Sequence, residues 1–187
     1  AFPQLLMAPT QTGYGFGQTM VTAGIALAPA GLLMMFLSPI SARITTRFGA
    51  RVTLACGAAT IAVGYLLAWA LHHELWQIVV ASMLIGGGVG LAYAAMPALI
   101  MAAVPLHESA AATGLNALMR SVGTTSAAAV VGAMLAAMTQ RIDDAVVPAL
   151  EGFRATFLVA VVAALVALLF TLLIPSPGRT VRSVDEA

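Results

Sequence analysis

Four polar residues on one predicted helix are the strongest candidates for ligand chemistry. Thr113, Asn116, Arg120 and Thr124 recur at spacings of three and four, which puts them on one helical face. Hydroxyl, amide and guanidinium groups in that pattern suit hydrogen bonding to a polar ligand or a neighbouring helix. They do not form a bond-cleaving set. Arg120 lies about ten residues inside an otherwise apolar run, roughly 15 Å from its start at the helical rise. An Arg that deep in a bilayer costs on the order of 3 kcal/mol, so it must face a cavity, a partner or a snorkelling route. Two readings stay open: contact with substrate or with another part of the protein, or a structural role capping carbonyls or headgroups. Asn116, one turn earlier, fits interhelical hydrogen bonding as readily as ligand contact.

A second polar stretch covers residues 38–54, SPISARITTRFGARVTL. It holds Arg43, Arg47 and Arg51 and no acid. Clustered positive charge between two apolar runs marks the cytoplasmic side of a membrane protein. Topology setting is one role for these arginines.

Other chemistries find no machinery. Glu74, Glu108, Asp143, Asp144, Glu151, Asp185 and Glu186 all fall in predicted connectors, at a helix end or in the tail. A proton-carrying carboxylate within a span is therefore expected outside this chain. Cys56 is the single cysteine and reads as a small buried hydrophobe. His72 and His73 are adjacent, a poor geometry for one metal ion. The run Gly86-Gly87-Gly88 and Gly90 lacks the Lys-Ser/Thr of a phosphate loop. Instead, Gly86 and Gly90 share a face that lets another helix backbone come close. No metal, no cofactor, no nucleic-acid partner and no enzymatic activity are expected.

The elements that position these residues follow from composition. Of 187 residues, 61% are hydrophobic and 8% charged, against about a quarter charged in soluble domains. The chain reads as an all-α integral membrane protein. Apolar runs predict spans at about 19–40, 52–71, 77–104, 110–138 and 156–174, each close to the ~20 residues that a bilayer requires. Pro29 and Pro39 in the first span, and Pro97 in the third, are expected to bend or end their helices. The last span, apolar all round, is expected to face lipid. Residues 1–9 look like the end of a truncated membrane helix, which predicts further chain upstream. Residues 10–175 then form the five-helix bundle and 176–187 a polar tail. The arginine count puts the 41–51 region and the tail on the cytoplasmic side of a plasma membrane.

The segment Ala42 to Arg51 resembles the cytoplasmic signature of the major facilitator superfamily, G-x-L-a-D-R-x-G-r-k. Arg47 and Gly49 match its R-x-G core, and Arg51 its last basic position. Ala42 stands where the leading Gly would be and Thr46 where the Asp would be. Residues 96–135, with P-x-L-I, V-P, G-L-N and R-x-V-G elements, are similar to the tenth and eleventh helices of bacterial drug:proton antiporters. GYGFG at 13–17 and AGIALAPAGLLMM at 23–35 resemble the start of the eighth helix in actinobacterial-type members.

The resemblance implies the C-terminal six-helix bundle of such a transporter, with five complete helices and the end of a sixth. It implies a missing N-terminal half, a bilayer, a small-molecule substrate and protons as partners. The implied activity is proton-coupled efflux of hydrophobic or cationic drugs by alternating access. A metabolite or sugar transporter of the same superfamily, or a non-transporting helical subunit, are the alternatives. Arg43, Arg47, Gly49 and Arg51 become a conformational gate. Thr113, Asn116, Arg120 and Thr124 become cavity residues, and Pro29, Gly86, Gly90 and Pro97 become packing or bending positions.

Overall fold

The computed structural model describes residues 2–71, 74–142 and 145–173. A short helix α1 (Phe2–Met7) and a 3-10 turn (Thr10–Thr12) lead into four long helices. These are α2 (Met20–Phe48), α3 (Ala50–Ala70), α4 (Leu75–Ala103) and α5 (Ser109–Ala137). A strand pair, β1 (Thr139–Ile142) and β2 (Ala145–Pro148), precedes the last helix, α6 (Leu150–Leu173). Five of these helices are long and apolar enough to cross a membrane, and the class is an all-α membrane fold. The paired histidines, Asp143, Asp144 and the tail expected at 176–187 lie outside the described residues.

Local chemistry sets the helix starts. The Thr19 hydroxyl accepts the Thr22 N–H at the head of α2, satisfying one free amide of the first turn. Glu74 and Gln77 form a capping box on α4, with the Glu74 N–H donated to Gln77 Oε1 at 3.2 Å. Glu108 makes no such side-chain cap for α5. Its carboxylate lies 3.6 Å from His107 instead.

Three boundaries differ from the sequence expectation. The polar stretch 38–54 is helical rather than a connector, because α2 runs through Pro39 to Phe48. Pro39 removes one donor, but two side chains on the following turns anchor to neighbouring helices. The buried Ser41 hydroxyl donates to the Leu91 carbonyl of α4 at 3.2 Å. The Thr45 hydroxyl donates to Thr53 of α3 at 2.9 Å. Arg47 adds favourable charge in the last turn, at the carbonyl end of the helix. The chain turns at Gly49 alone, whose φ of 92° favours glycine.

The second difference is the strand pair inside the expected 139–155 connector, with Thr139 opposite Pro148. The third follows from it: α6 starts at Leu150, not near 156. Glu151 and Arg154 are therefore in its first turns, and Arg154 lies 5.5 Å from the Trp69 ring centre. Nor is α6 exposed on all sides. Gly152, Phe153, Thr156, Phe157, Val161 and Ala164 are buried, a stripe at helical spacing that packs largely on α3.

Helix α4 is the centre of the packing, with α3 on one side and α2 on another. Glycine makes both contacts possible. A Cβ on Gly88 would lie 2.7 Å from the Gly57 carbonyl oxygen of α3. On Gly86 it would lie 2.7 Å from the Ala30 carbonyl oxygen of α2, and on Gly90 3.0 Å from Met34 Cγ. Apolar burial gives little drive to helix association in lipid, so close backbone approach supplies it.

At the end of the bundle away from Gly49, α1 and the 13–17 loop close over α3 and α6. Leu5 and Leu6 are buried. Phe2 stacks on Phe157 with ring centres 5.2 Å apart, and Tyr14 tilts against Phe153 at 5.7 Å. The Tyr14 hydroxyl donates to the Pro148 carbonyl, tying the first loop to the strand pair. Burial pushes the Tyr14 phenol above its usual 10.0, against a smaller opposing pull from the Thr12 hydroxyl.

Gly88→Ala is expected to destabilise the protein by about 1–3 kcal/mol, since its methyl group meets the backbone of Gly57 and Ile61 as well as the Ile61 side chain. Gly123→Ala, with open space around its Cβ position, should be neutral or stabilising by up to ~1 kcal/mol. Thermal unfolding in detergent micelles compares the two.

Candidate functional site

Burial divides the helices into two classes. Nine residues of α4 are buried, from Ile78 to Ala95. Only Leu135 of α5 is buried, and only Ala23 and Ser41 of α2. Two membrane-length helices thus leave most of their surface uncovered, and α5 carries the candidate polar face.

Within that face the structure distinguishes the four residues. The Thr113 hydroxyl donates to the Ser109 carbonyl, and that of Thr124 to the Arg120 carbonyl, each at 2.8 Å. Back-bonding of this kind satisfies a hydroxyl on its own helix. It leaves the oxygen lone pairs able to accept. Asn116 is half-buried and has no side-chain hydrogen bond among the described residues. Arg120 alone reaches another helix. Its guanidinium carbon lies 4.9 Å from the ring centre of Tyr93 on α4, within cation–π range. The ring leaves the guanidinium N–H donors without an anionic partner in α4 or α5, since neither helix contains Asp or Glu.

Beside Tyr93 an apolar crevice of about 650 Å³ runs between α3, α4, α5 and α6. Met96, Ala127, Val131, Met134, Tyr65 and Ala163 are among its lining residues. It exists because α5 packs only lightly on α4 and α6. Sequence reasoning missed both Tyr93 and the crevice. A tyrosine in an apolar run, ten residues from the end of α4, was the one available signal.

The arginines of the 38–54 stretch separate as well. Arg47, Gly49 and Arg51 line a cavity of about 740 Å³ at the α2–α3 junction, with Thr45, Leu99 and Cys56, which is exposed rather than buried as its sequence context suggests. Arg43 does not line it. Arg47 lies 5.4 Å from the ring centre of its neighbour Phe48. Arg51 crosses to α6: its Nε–H donates to the Thr171 carbonyl at 3.2 Å, and a terminal N–H donates to the Leu172 carbonyl. Those carbonyls belong to the last described turn of α6.

The packing positions fall as follows. Gly86 and Gly90 face α2, as described above. Pro29 and Pro97 sit inside α2 and α4, and neither ends its helix. No group of three or more metal-ligating side chains occurs among the described residues.

A family model described as Major Facilitator Superfamily matches residues 2–186. The chain is also similar to "Multidrug resistance protein Stp" of Mycobacterium tuberculosis (strain CDC 1551 / Oshkosh). The two are 30% identical over 122 residues, which is 65% of this chain. The protein of the same name from strain ATCC 25618 / H37Rv matches to the same extent. The match spans only 23% of the length of either relative.

Removing the Arg51 bridge should loosen the end of α6. Arg51→Ala is expected to raise deuterium uptake over residues 168–173 by roughly tenfold in rate, the worth of one charge-assisted hydrogen bond. Arg51→Lys should recover part of the protection. Unchanged uptake in the alanine variant would show that the bridge does not hold the helix end.

Proposed function

The chain belongs to the Major Facilitator Superfamily, a family of membrane transporters, and on that premise we propose that it is part of a secondary-active exporter of hydrophobic compounds. The proposal has three parts. The chain forms one wall of the transport path. The driving force is a proton gradient. The substrate binds against α5. The observation that carries the reading is the uncovered polar face of α5, with Arg120 projecting among apolar surroundings. The similarity to proteins named for multidrug resistance supports the same direction.

The mechanism follows from how the helices are tied. Helices α2, α3, α4 and α6 are joined by glycine contacts, by the Ser41 and Thr45 hydroxyls and by the Arg51 bridge. They would move as one body. Rocking of that body against a second, N-terminal half of the protein would expose the α5 face to one side of the membrane and then the other. Gly49 and the arginines around the α2–α3 junction would meet that half in one of the two states. Protons would be carried by carboxylates outside this chain. Inside the helices α2, α3, α4, α5 and α6 themselves the only Asp or Glu is Glu151, in the first turn of α6 and exposed.

Sidedness completes the proposal. Arg43, Arg47 and Arg51 cluster at one end of the bundle, which would lie in the cytoplasm of a cell with its plasma membrane as host. The strand pair and the Tyr14 loop would face outside, and the C-terminus would be cytoplasmic.

Dye efflux from energised membrane vesicles tests this reading. With the intact protein, efflux should stop when a protonophore collapses the gradient. Arg120→Ala should lower efflux at least about tenfold, consistent with loss of a charged hydrogen-bonding contact. Arg141→Ala, on the exposed strand pair, should leave it unchanged at equal expression. Efflux that survives the protonophore, or equal activities of the two variants, would overturn the assignment.

A further inference from the structure

We infer that the α5 site takes an amphipathic monoanion, a long-chain carboxylate whose head pairs with Arg120 and whose apolar tail lies in the crevice between α3, α4, α5 and α6. The inference rests on the α5 face being the ligand face, and it names the substrate class. The sequence-based expectation of cationic compounds is not what this geometry favours.

The first argument is charge. Arg120 is the only ionisable residue of α5, and α4 has none apart from the weakly acidic Tyr93 phenol. Facing residues on α3 and α6 add no carboxylate near it. Arg51 lies at the α3 end and is engaged with α6. Glu151 and Arg154 sit at the start of α6, beside the far end of α5 and roughly 25 Å along the axis from Arg120. A cationic ligand placed against this face would be repelled at short range in a low-dielectric setting. A carboxylate would find a guanidinium fork that, among the described residues, lies against the Tyr93 ring face. The fork geometry suits bidentate pairing with a carboxylate.

The second argument is depth. Arg120 is eleven residues from Ser109, about 17 Å along the helix. The 29 residues of α5 extend ~43 Å, longer than the ~30 Å hydrocarbon core. For an upright, centred helix the guanidinium lies roughly 10 Å inside the hydrocarbon boundary. The phosphate of a bilayer phospholipid does not reach that depth. The charged head of a ligand admitted between the helices does.

The third argument is shape. Arg120 meets the crevice through the Tyr93 ring, which lines it, and along α5 the lining runs from Ala127 to Met134, about 10 Å. Its volume of about 650 Å³ and its lining of apolar side chains from four helices leave room for an alkyl tail. Met and Ala side chains along it offer adaptable, unspecific contact, so tail chemistry would be loosely read and head charge strictly read.

The test uses the intact transporter in phosphatidylcholine nanodiscs and three fluorescent probes of equal chain length. These are dansyl-undecanoic acid, its methyl ester and the corresponding trimethylammonium amphiphile. The acid is expected to bind at least about tenfold tighter than the ester, and the cation weakest. Arg120→Gln should erase the preference for acid over ester while keeping ester affinity, which also reports that the variant is folded. Arg120→Lys should keep most of the preference. Ala163→Trp should weaken acid and ester together by filling the crevice. Equal affinity for acid, ester and cation in the wild type overturns the inference, even if Arg120→Gln fails to fold. So does a preference that survives Arg120→Gln. Acid-selective binding without proton-driven efflux would sink the exporter reading and leave this site standing.

Discussion

Backbone-to-backbone approach at glycine is the contact on which the arrangement depends. Gly88 of α4 meets the Gly57 carbonyl of α3, and Gly86 meets the Ala30 carbonyl of α2, at distances with no room for a side chain. In lipid, where apolar side chains gain little by leaving one apolar medium for another, this close van der Waals contact decides which helices associate. Helix α4 therefore spends its surface on α2 and α3, and α6 takes the remaining side of α3. Helix α5 has no comparable glycine contact: Gly114, Gly123 and Gly132 have nothing within reach of a Cβ. Its exposure follows from the same rule that buries α4. The polar face of α5 and the crevice it opens onto are two consequences of one packing preference.

Cations in the apolar body are settled by whatever acceptor lies close. Arg51 takes the carbonyls at the end of α6, Arg154 lies against Trp69, and Arg120 against Tyr93. The three are not equivalent. Arg51 donates to backbone carbonyls in the last described turn of α6, so its N–H groups have acceptors. An aromatic face neutralises nothing, so Arg120 keeps its capacity for an anion. This difference separates a structural arginine from one available to a ligand, and neither residue type nor position in the chain reveals it.

Much of the architecture was legible because membrane spans are set by length and hydropathy. The starts of α2, α3, α4 and α5 fall within two residues of the sequence reading, and the R-x-G segment and the polar elements of 96–135 pointed to the family. What failed was read from local polarity. Three arginines make the 38–54 stretch read as a connector. Its helix instead persists through Ser41 and Thr45, whose partners Leu91 and Thr53 are distant or across a turn. The strand pair at 139–148 was missed because each strand is only four residues long and its anchor, Tyr14, comes from the other end of the chain. The helical face of Thr113, Asn116, Arg120 and Thr124 was visible from spacing alone. Its partner Tyr93 was not, since nothing in an apolar run marks which residue a neighbouring helix will meet.

The central claim is that the face of α5 bearing Arg120 lines the transport path. Cysteine accessibility measures this directly. In the intact protein with Cys56→Ser, single cysteines at 113, 116 and 124, and in turn at 115, 118 and 122, would be exposed to a water-soluble maleimide. The account predicts labelling at 113, 116 and 124, slowed by substrate, with 115, 118 and 122 unreactive. Labelling at 115, 118 and 122 with silence at the other three would turn the helix over and contradict it.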